Sequence, residues 1–321
     1  MGGGGATFQA LTRAFNAFIN KPFALLTLVA FLFIGCDLYR DRASKGGNNN
    51  SISYNISFYN ADLDLVETKS ILGGSINPSS HNSLVLEWYK ANESAATTNH
   101  NLDDDIRFYA IPNVKEITTQ AELANIGADA TTLAGKYILL NDIALSDSGA
   151  GVDSSGWNPI GSDFNRFKGI FNGNGYKITN LWINIPSTDN VGLFGYIEGA
   201  KIRNLGVEIN NSKGGVQGYN SVGGIAGSVV GNSSITNSYV AGSVSGTGRV
   251  GGIAGYVVGN SSSITNSYVA GSVSGVVNVG GIAGCIESSA IITNNAAINP
   301  SVSATSYINR VVGYIKDGTV S

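Results

Sequence analysis

Ser221-Val-Gly-Gly-Ile-Ala-Gly-Ser-Val-Val-Gly-Asn-Ser-Ser-Ile-Thr-Asn-Ser-Tyr-Val-Ala-Gly-Ser-Val-Ser-Gly246 recurs almost verbatim from Arg249 to Gly275, with one added serine. A divergent third copy runs from Asn278 to about Thr305, and weaker copies begin at Asn190 and Ile308. Val222, Val250 and Val279 are 28 and 29 residues apart. Self-similarity at such a period marks a repeat architecture. Each period holds short apolar runs, Ile225–Val229 and Ile235–Val240, cut by Gly and Asn-Ser turns, and nothing with helical periodicity. One such unit has nothing to bury its apolar face against. Stacking equivalent strands at ~4.8 Å pairs their backbones and builds one continuous core.

The expected fold is therefore mainly β, a right-handed parallel β-solenoid (β-helix) with coils of ~28–31 residues. In register, Ile235, Ile264 and Ile292 form an aliphatic ladder. Asn237, Asn266 and Asn294 are expected to form an amide ladder, each side chain bonding to the next coil. Val-Gly-Gly-Ile-Ala-Gly followed by Ile-Thr-Asn-Ser-Tyr-Val-Ala-Gly resembles the GLUG repeat of bacterial surface and secreted proteins. Val191-Gly-Leu-Phe-Gly195 with Ile202-Arg-Asn-Leu205 looks like its first copy, and Trp157–Leu181 like its preamble. The resemblance covers about 200 residues. It implies an adhesin-like protein in which the repeats are not the catalytic part.

Working toward the amino terminus, residues 190–321 form the repeat solenoid and 114–189 its cap and first coils. Thr118-Thr-Gln-Ala-Glu-Leu-Ala-Asn-Ile126 predicts a helix, with Thr119 and Glu122 at capping-box spacing. Such a helix closes one end of the stack, which otherwise exposes core and strand edges. Residues 51–113 predict strands at Ile52–Phe58, Leu65–Ile71, Leu84–Tyr89 and Ile106–Ile111. Ile56-Ser-Phe-Tyr59, Gly73-Gly-Ser-Ile76, Trp88-Tyr-Lys90 and Leu102–Ala110 resemble the Listeria–Bacteroides repeat. That resemblance implies a small β-grasp-like domain serving as spacer or interaction module. Residues 37–50 read as a flexible tether.

Residues 1–36 read as a signal or lipoprotein-type export segment. Phe23 to Ile34 is an apolar run too short for a membrane span of ~20 residues, and Lys21 flanks it. Phe33-Ile34-Gly35-Cys36 resembles a bacterial lipoprotein signal, which implies lipid on Cys36. The alternative is an uncleaved anchor over Phe15–Ile34. Either places the chain in the bacterial cell envelope, on the outer side of the cytoplasmic membrane or at the cell surface, with the membrane as one partner.

Composition narrows the function. Only 13% of residues are charged, the net charge is −3, and Gly numbers 43. No basic stripe suits nucleic acid. Between Val216 and Asn309 the charged residues are Arg249 and Glu287, expected on different coils and opposite turns, so acid–base chemistry finds no pair there. Asp163 with Glu198 is the carboxylate pair a glycosidase would need, weighed against ordinary solvated loop charges. Asp62 and Asp64 share a strand face, and Asp103-Asp-Asp105 form a turn; neither has Ca²⁺-loop spacing, so both read as solvated. No metal or other cofactor is implied. His81 and His100 lie in polar loops. Cys285 takes the repeat slot of Ser228 and Tyr256, a set that predicts an outward-facing surface thiol.

The function read from these residues is a non-catalytic, membrane-anchored surface protein with adhesin-like binding of an extracellular glycan or protein. Tyr219, Tyr239, Tyr256 and Tyr268 are the candidate contact surface, expected to cluster in a binder and to be scattered or buried in a stalk. A structural stalk is the alternative, and a β-helix polysaccharide-active enzyme a lesser one.

Overall fold

The structure, a computed structural model, describes residues 53–72, 75–76, 88–97, 100–101 and 105–321, all within one unit, Asn49–Ser321. The export segment with Cys36, the tether, His81, Asp103 and the side chain of His100 lie outside the described residues.

From Val114 onward the chain winds as a parallel β-solenoid of about five turns. One repeat contributes five strands: Asn220–Val222, Ala226–Val230, Ser234–Thr236, Tyr239–Ala241 and Val244–Ser245. Stacked, they become sheets of four, five, eight, six and seven strands. Ile235–Val240, expected as one strand, is two. Asn237 breaks it with a left-handed backbone, φ 51°, so the chain turns a corner between two sheets.

The aliphatic ladder forms as expected. Ile202 pairs with Ile235, Ile235 with Ile264, Ile264 with Ile292 and Ile292 with Val320, while Phe171 and Tyr137 extend the column upstream. Ile235, Ile264 and Ile292 are fully buried. Coil length varies more than the repeats suggest: Lys136 pairs with Ile170, 34 residues on, and Ile170 with Lys201, 31 on. By Ser263–Ile291 the step is 28. Early coils carry longer turns, such as the loop between the bridging residues Ile160 and Phe167.

The asparagine ladder does not form as expected. Asn237, Asn266 and Asn294 are exposed, at φ 51°, 52° and 55°, and the amide bonds run upstream from Asn237, its Nδ2 to Asn204 Oδ1 at 3.3 Å and Asn204 Nδ2 to Asn172 Oδ1 at 3.1 Å. Asparagine is there because it tolerates the left-handed corner, which other side chains resist. The residue after each corner staples the coils instead. Ser238 Oγ accepts from Leu205 N (3.3 Å), Ser267 Oγ from Ser238 N (3.1 Å), and Asn295 Oδ1 from Ser267 N (2.9 Å). Ser238 and Ser267 are buried. Ser267→Ala leaves a buried N–H without its acceptor, and denaturant unfolding is expected to show a loss of about 1–3 kcal/mol.

The helix is shorter than expected, Gln120–Ala124, followed by a 3-10 turn over Asn125–Gly127 and a helix Ala130–Leu133. Thr119 caps the first with the anticipated Glu122 partner. Leu123, Ile126 and Leu133 join the core cluster that continues to Ile292 and Val312, so these turns close the amino-terminal end of the core.

Before the solenoid, strands Ser53–Tyr59, Leu65–Leu72 and Ile106–Tyr109 form one sheet, with Ser53–Tyr59 central, antiparallel to the second and parallel to the third. Tyr54, Ile56, Phe58, Trp88 and Phe108 make its core. Of the expected strand Leu84–Tyr89, the described part is Trp88 and a bridge from Tyr89 to Tyr109. A second cluster, Tyr59, Leu63, Tyr109, Val114 and Ile138, joins this sheet to the outer face of the eight-stranded one. Leu63 is fully buried at φ 62°, and its carbonyl accepts from Asn172 Nδ2.

Asp62 and Asp64 keep 43% and 40% of their side-chain surface exposed, as a solvated turn would, but each is also ion-paired. Asp62 pairs with Lys201 at 2.7 Å and Asp64 with Arg203 at 2.8 Å, both on the solenoid. The Lys201 hydrogen bond holds the Asp62 carboxyl below its usual range. Asp105 accepts the Asn55 N–H at 2.6 Å.

Candidate functional site

The four candidate tyrosines fall in three places. Tyr219, half exposed, sits at a corner between Thr188 and Thr247 of adjacent coils, with its N–H to Thr188 O and its carbonyl accepting from Thr247. Tyr256 lies on the five-stranded sheet. Tyr239 and Tyr268 share the six-stranded sheet and are in register. A single four-residue cluster is thus not what the fold builds.

Tyr239 and Tyr268 are stacked, centroids 5.0 Å apart and planes 7° from parallel. That distance is the strand spacing of a sheet, so each ring rides on its own coil. The Tyr239 hydroxyl donates to Glu208 Oε1 (3.1 Å), which also takes Lys177 Nζ (3.0 Å). Burial first, and then Glu208, push the Tyr239 phenol above its usual range. Tyr268 is 40% exposed.

Tyr256 has two charged neighbours. The Arg249 guanidinium lies 4.5 Å from its ring centroid, and Glu287 stands on the adjacent paired strand. Burial, helped by Glu287, pushes its pKa up to about 12. Arg249 and Glu287, expected on opposite turns, therefore meet on one face. Arg249 sits in a left-handed corner (φ 51°) that turns its side chain toward the neighbouring sheet.

Cys285 is buried, 1% exposed, and not the surface thiol expected. Its column reads Tyr196, Ser228, Tyr256, Cys285, Tyr314. The column stands outside the main core, yet Ser228 and Cys285 are small side chains flanked by tyrosines on adjacent coils, which shield them. Sulfur lies 3.8 Å from Glu287 Oε1. Burial and then the Glu287 charge push the thiol up to about 11, far from a reactive thiolate. Cys285 is expected to resist a maleimide in the folded protein and to react once denaturant is added, as mass spectrometry of its peptide would show.

The charged preamble resolves into ion pairs. Arg166 bridges Asp163 (3.2 Å) and Glu198 (2.9 Å), stacks on Tyr196 at 4.5 Å, and Lys168 adds a second contact to Glu198 at 2.9 Å. Lys168 foremost, and Arg166, hold the Glu198 carboxyl low, burial opposing them. A general acid requires the opposite shift. Among the described residues no cluster of three or more His, Cys, Asp or Glu could hold a metal, and no helix is long and apolar enough to cross a membrane.

No family model matches the chain. A stretch of 72 residues, 22% of the chain, is 46% identical to a protein of Evansella cellulosilytica described as a "Putative Gly-rich membrane protein", of which it spans 8%. Over 151 residues, 38% of the chain, it is 33% identical to Halomucin of Haloquadratum walsbyi, of which it spans 2%. The chain thus covers under a tenth of the length of either curated relative. A crystal structure described as a "putative immunoglobulin A1 protease" from Bacteroides ovatus superposes with TM-score 0.46 at 23% identity, over 65% of this chain and 77% of that one.

The sequence reading missed the docking contacts of Asp62 and Asp64 and the pairing of Arg249 with Tyr256. Repeat offset carried a signal for the tyrosines. Tyr239 and Tyr268 hold the same offset in successive copies, whereas Tyr219 and Tyr256 hold others.

Proposed function

We propose that this chain is a non-catalytic surface protein of the bacterial cell envelope, anchored at its amino-terminal segment, whose solenoid presents the Tyr239–Tyr268 face to an extracellular glycan or protein. One observation carries the binding part. Of the four candidate tyrosines, these two alone stack together, and Tyr268 stays open to solvent. The membrane-protein description of the Evansella relative supports the location. The ion pairing of Asp163 and Glu198 supports a role without acid–base chemistry. Lipid on Cys36 is part of the proposal, and mass spectrometry of the mature amino terminus tests it: an acylated cysteine is expected, and an unmodified chain beginning at Met1 would overturn it.

Location is tested by fractionating cells and treating intact ones with protease. Recovery with the membrane and cleavage from outside are the expected results; recovery in the cytosol would sink the reading. A stalk is the second reading, favoured by the positions of Tyr219 and Tyr256 on separate faces. A panel of neutral glycans and envelope proteins separates the two, because a stalk binds none of them through the Tyr239–Tyr268 face.

A further inference from the structure

The tyrosine column ends where the repeat changes its own wording. Ser-Tyr-Val-Ala-Gly occurs at Ser238–Gly242 and at Ser267–Gly271, but the third copy reads Asn295-Ala-Ala-Ile-Asn299. The column therefore runs Gly206, Tyr239, Tyr268, Ala296. Tyr239 leans over Gly206, where an added Cβ would come within 2.6 Å of its ring. Tyr268 stacks on Tyr239 at one coil spacing, so both rings are set back toward the amino-terminal coils. Among the described residues no other ring packs on Tyr268. Its free face overlooks Ala296, which is exposed, as are Ala270 and Ile298 alongside.

The result is a notch backed by the Tyr268 ring, floored by Ala270, Ala296 and Ile298, and open beyond Ala296, whose strand is the last of its sheet. We propose that it binds a sugar ring of a neutral glycan, laid on Tyr268 as the third member of the stack; the proposal rests on the surface-binding reading above. A pyranose has an apolar C–H face of ring size and a rim of hydroxyls. The floor of Ala270, Ala296 and Ile298 offers the first its contact and has no charged side chain of its own, the Arg310 Nε beside it donating to Ala297 O at 3.1 Å. The rim meets polar groups on both flanks, exposed Asn266 and Asn294 at one corner and Ser272 and Ser301 beyond the other. A protein partner fits less well: a stable interface needs roughly 800 Å² per side with an apolar centre, and here the apolar floor is two alanines and one isoleucine among hydroxyls and amides.

The test uses the full chain with cellohexaose and chitohexaose as probes, read by titration calorimetry. Saturable binding of at least one is expected, weakened about tenfold or more by Tyr268→Ala and by Ala296→Tyr. The second variant writes the repeat's own residue into the notch, so the fold accepts it while its ring takes the place of the sugar. Tyr219→Ala, on another corner, should leave affinity within about twofold. Binding that ignores Ala296→Tyr, or no binding of either probe, would overturn the notch. Saturable binding of a phenylalanine-containing peptide, with neither sugar bound, would overturn it in favour of a protein partner. None of these outcomes touches the envelope location, which stands or falls on fractionation.

Discussion

Ile264→Ala is expected to lower the unfolding free energy by about 2–5 kcal/mol, the range for emptying a fully buried aliphatic site. Ile264 is 0% exposed and stands between Ile235 and Ile292 in register. Its side chain is a contact for both neighbours, so truncation opens a cavity shared by three coils. Solenoid stability is close to a sum of nearest-neighbour coil interfaces, and a central rung takes part in two of them. The matched control is Ile291→Ala. Ile291 lies one position from Ile292 but faces out, at 36% exposure, and should cost within about 0.5 kcal/mol. Denaturant melts of both variants decide the matter. Equal losses, or a loss under ~1 kcal/mol at Ile264, would contradict a continuous ladder.

That contrast shows what the repeat made legible. Period alone aligns Val222 with Val250 and Val279, and Ile235 with Ile264 and Ile292, and the observed register agrees at every pair. Inward or outward direction follows from the alternation of a strand. Exposure does not follow in the same way, and Cys285 is the example. Its slot faces away from the core, but whether it meets solvent depends on the sizes of Tyr256 and Tyr314 above and below. Asn237 shows a different limit. Its recurrence was legible, but an amide recurring at a corner serves the backbone angle there; its bond reaches upstream to Asn204, and Ser238 and Ser267 carry the bonds from coil to coil in the repeats.

Contacts between distant segments left no local trace. Asp64 and Arg203 are 139 residues apart, and neither neighbourhood announces a partner. The same holds for Leu63, whose burial comes from docking against Val114 and Ile138. These contacts bear on function. The amino-terminal sheet, expected as a spacer or interaction module, is fixed to the first coils by a buried hook and two ion pairs. The amino-terminal sheet and the first coils are thereby held together as parts of one unit.

Gly251→Ala is the second large effect expected, and it tests why the repeat writes Val-Gly-Gly. A Cβ on Gly251 would lie 2.1 Å from Ala254 O, 2.7 Å from Ala283 Cα and 2.7 Å from Gly284 N. All three are backbone atoms, of its own coil or the next, so no rotamer change relieves the clash. Gly223 and Gly280 are in the same position, 2.3 Å from Ala226 O and 2.1 Å from Ala283 O. Glycine is needed there for close approach of successive turns. One methyl must push two coils apart, and overpacking of this kind costs about 1–3 kcal/mol or more. Gly127→Ala is the control. Nothing lies within 4 Å of its added methyl and its φ is not left-handed, so the change should be neutral or gain about 0.4–1 kcal/mol from the unfolded state. Thermal melts should therefore move in opposite directions or differ by several degrees. Should Gly251→Ala melt with the parent protein, the first glycine of each repeat is not a spacer between coils, and the tight stacking that positions Tyr239 on Gly206 would need another origin.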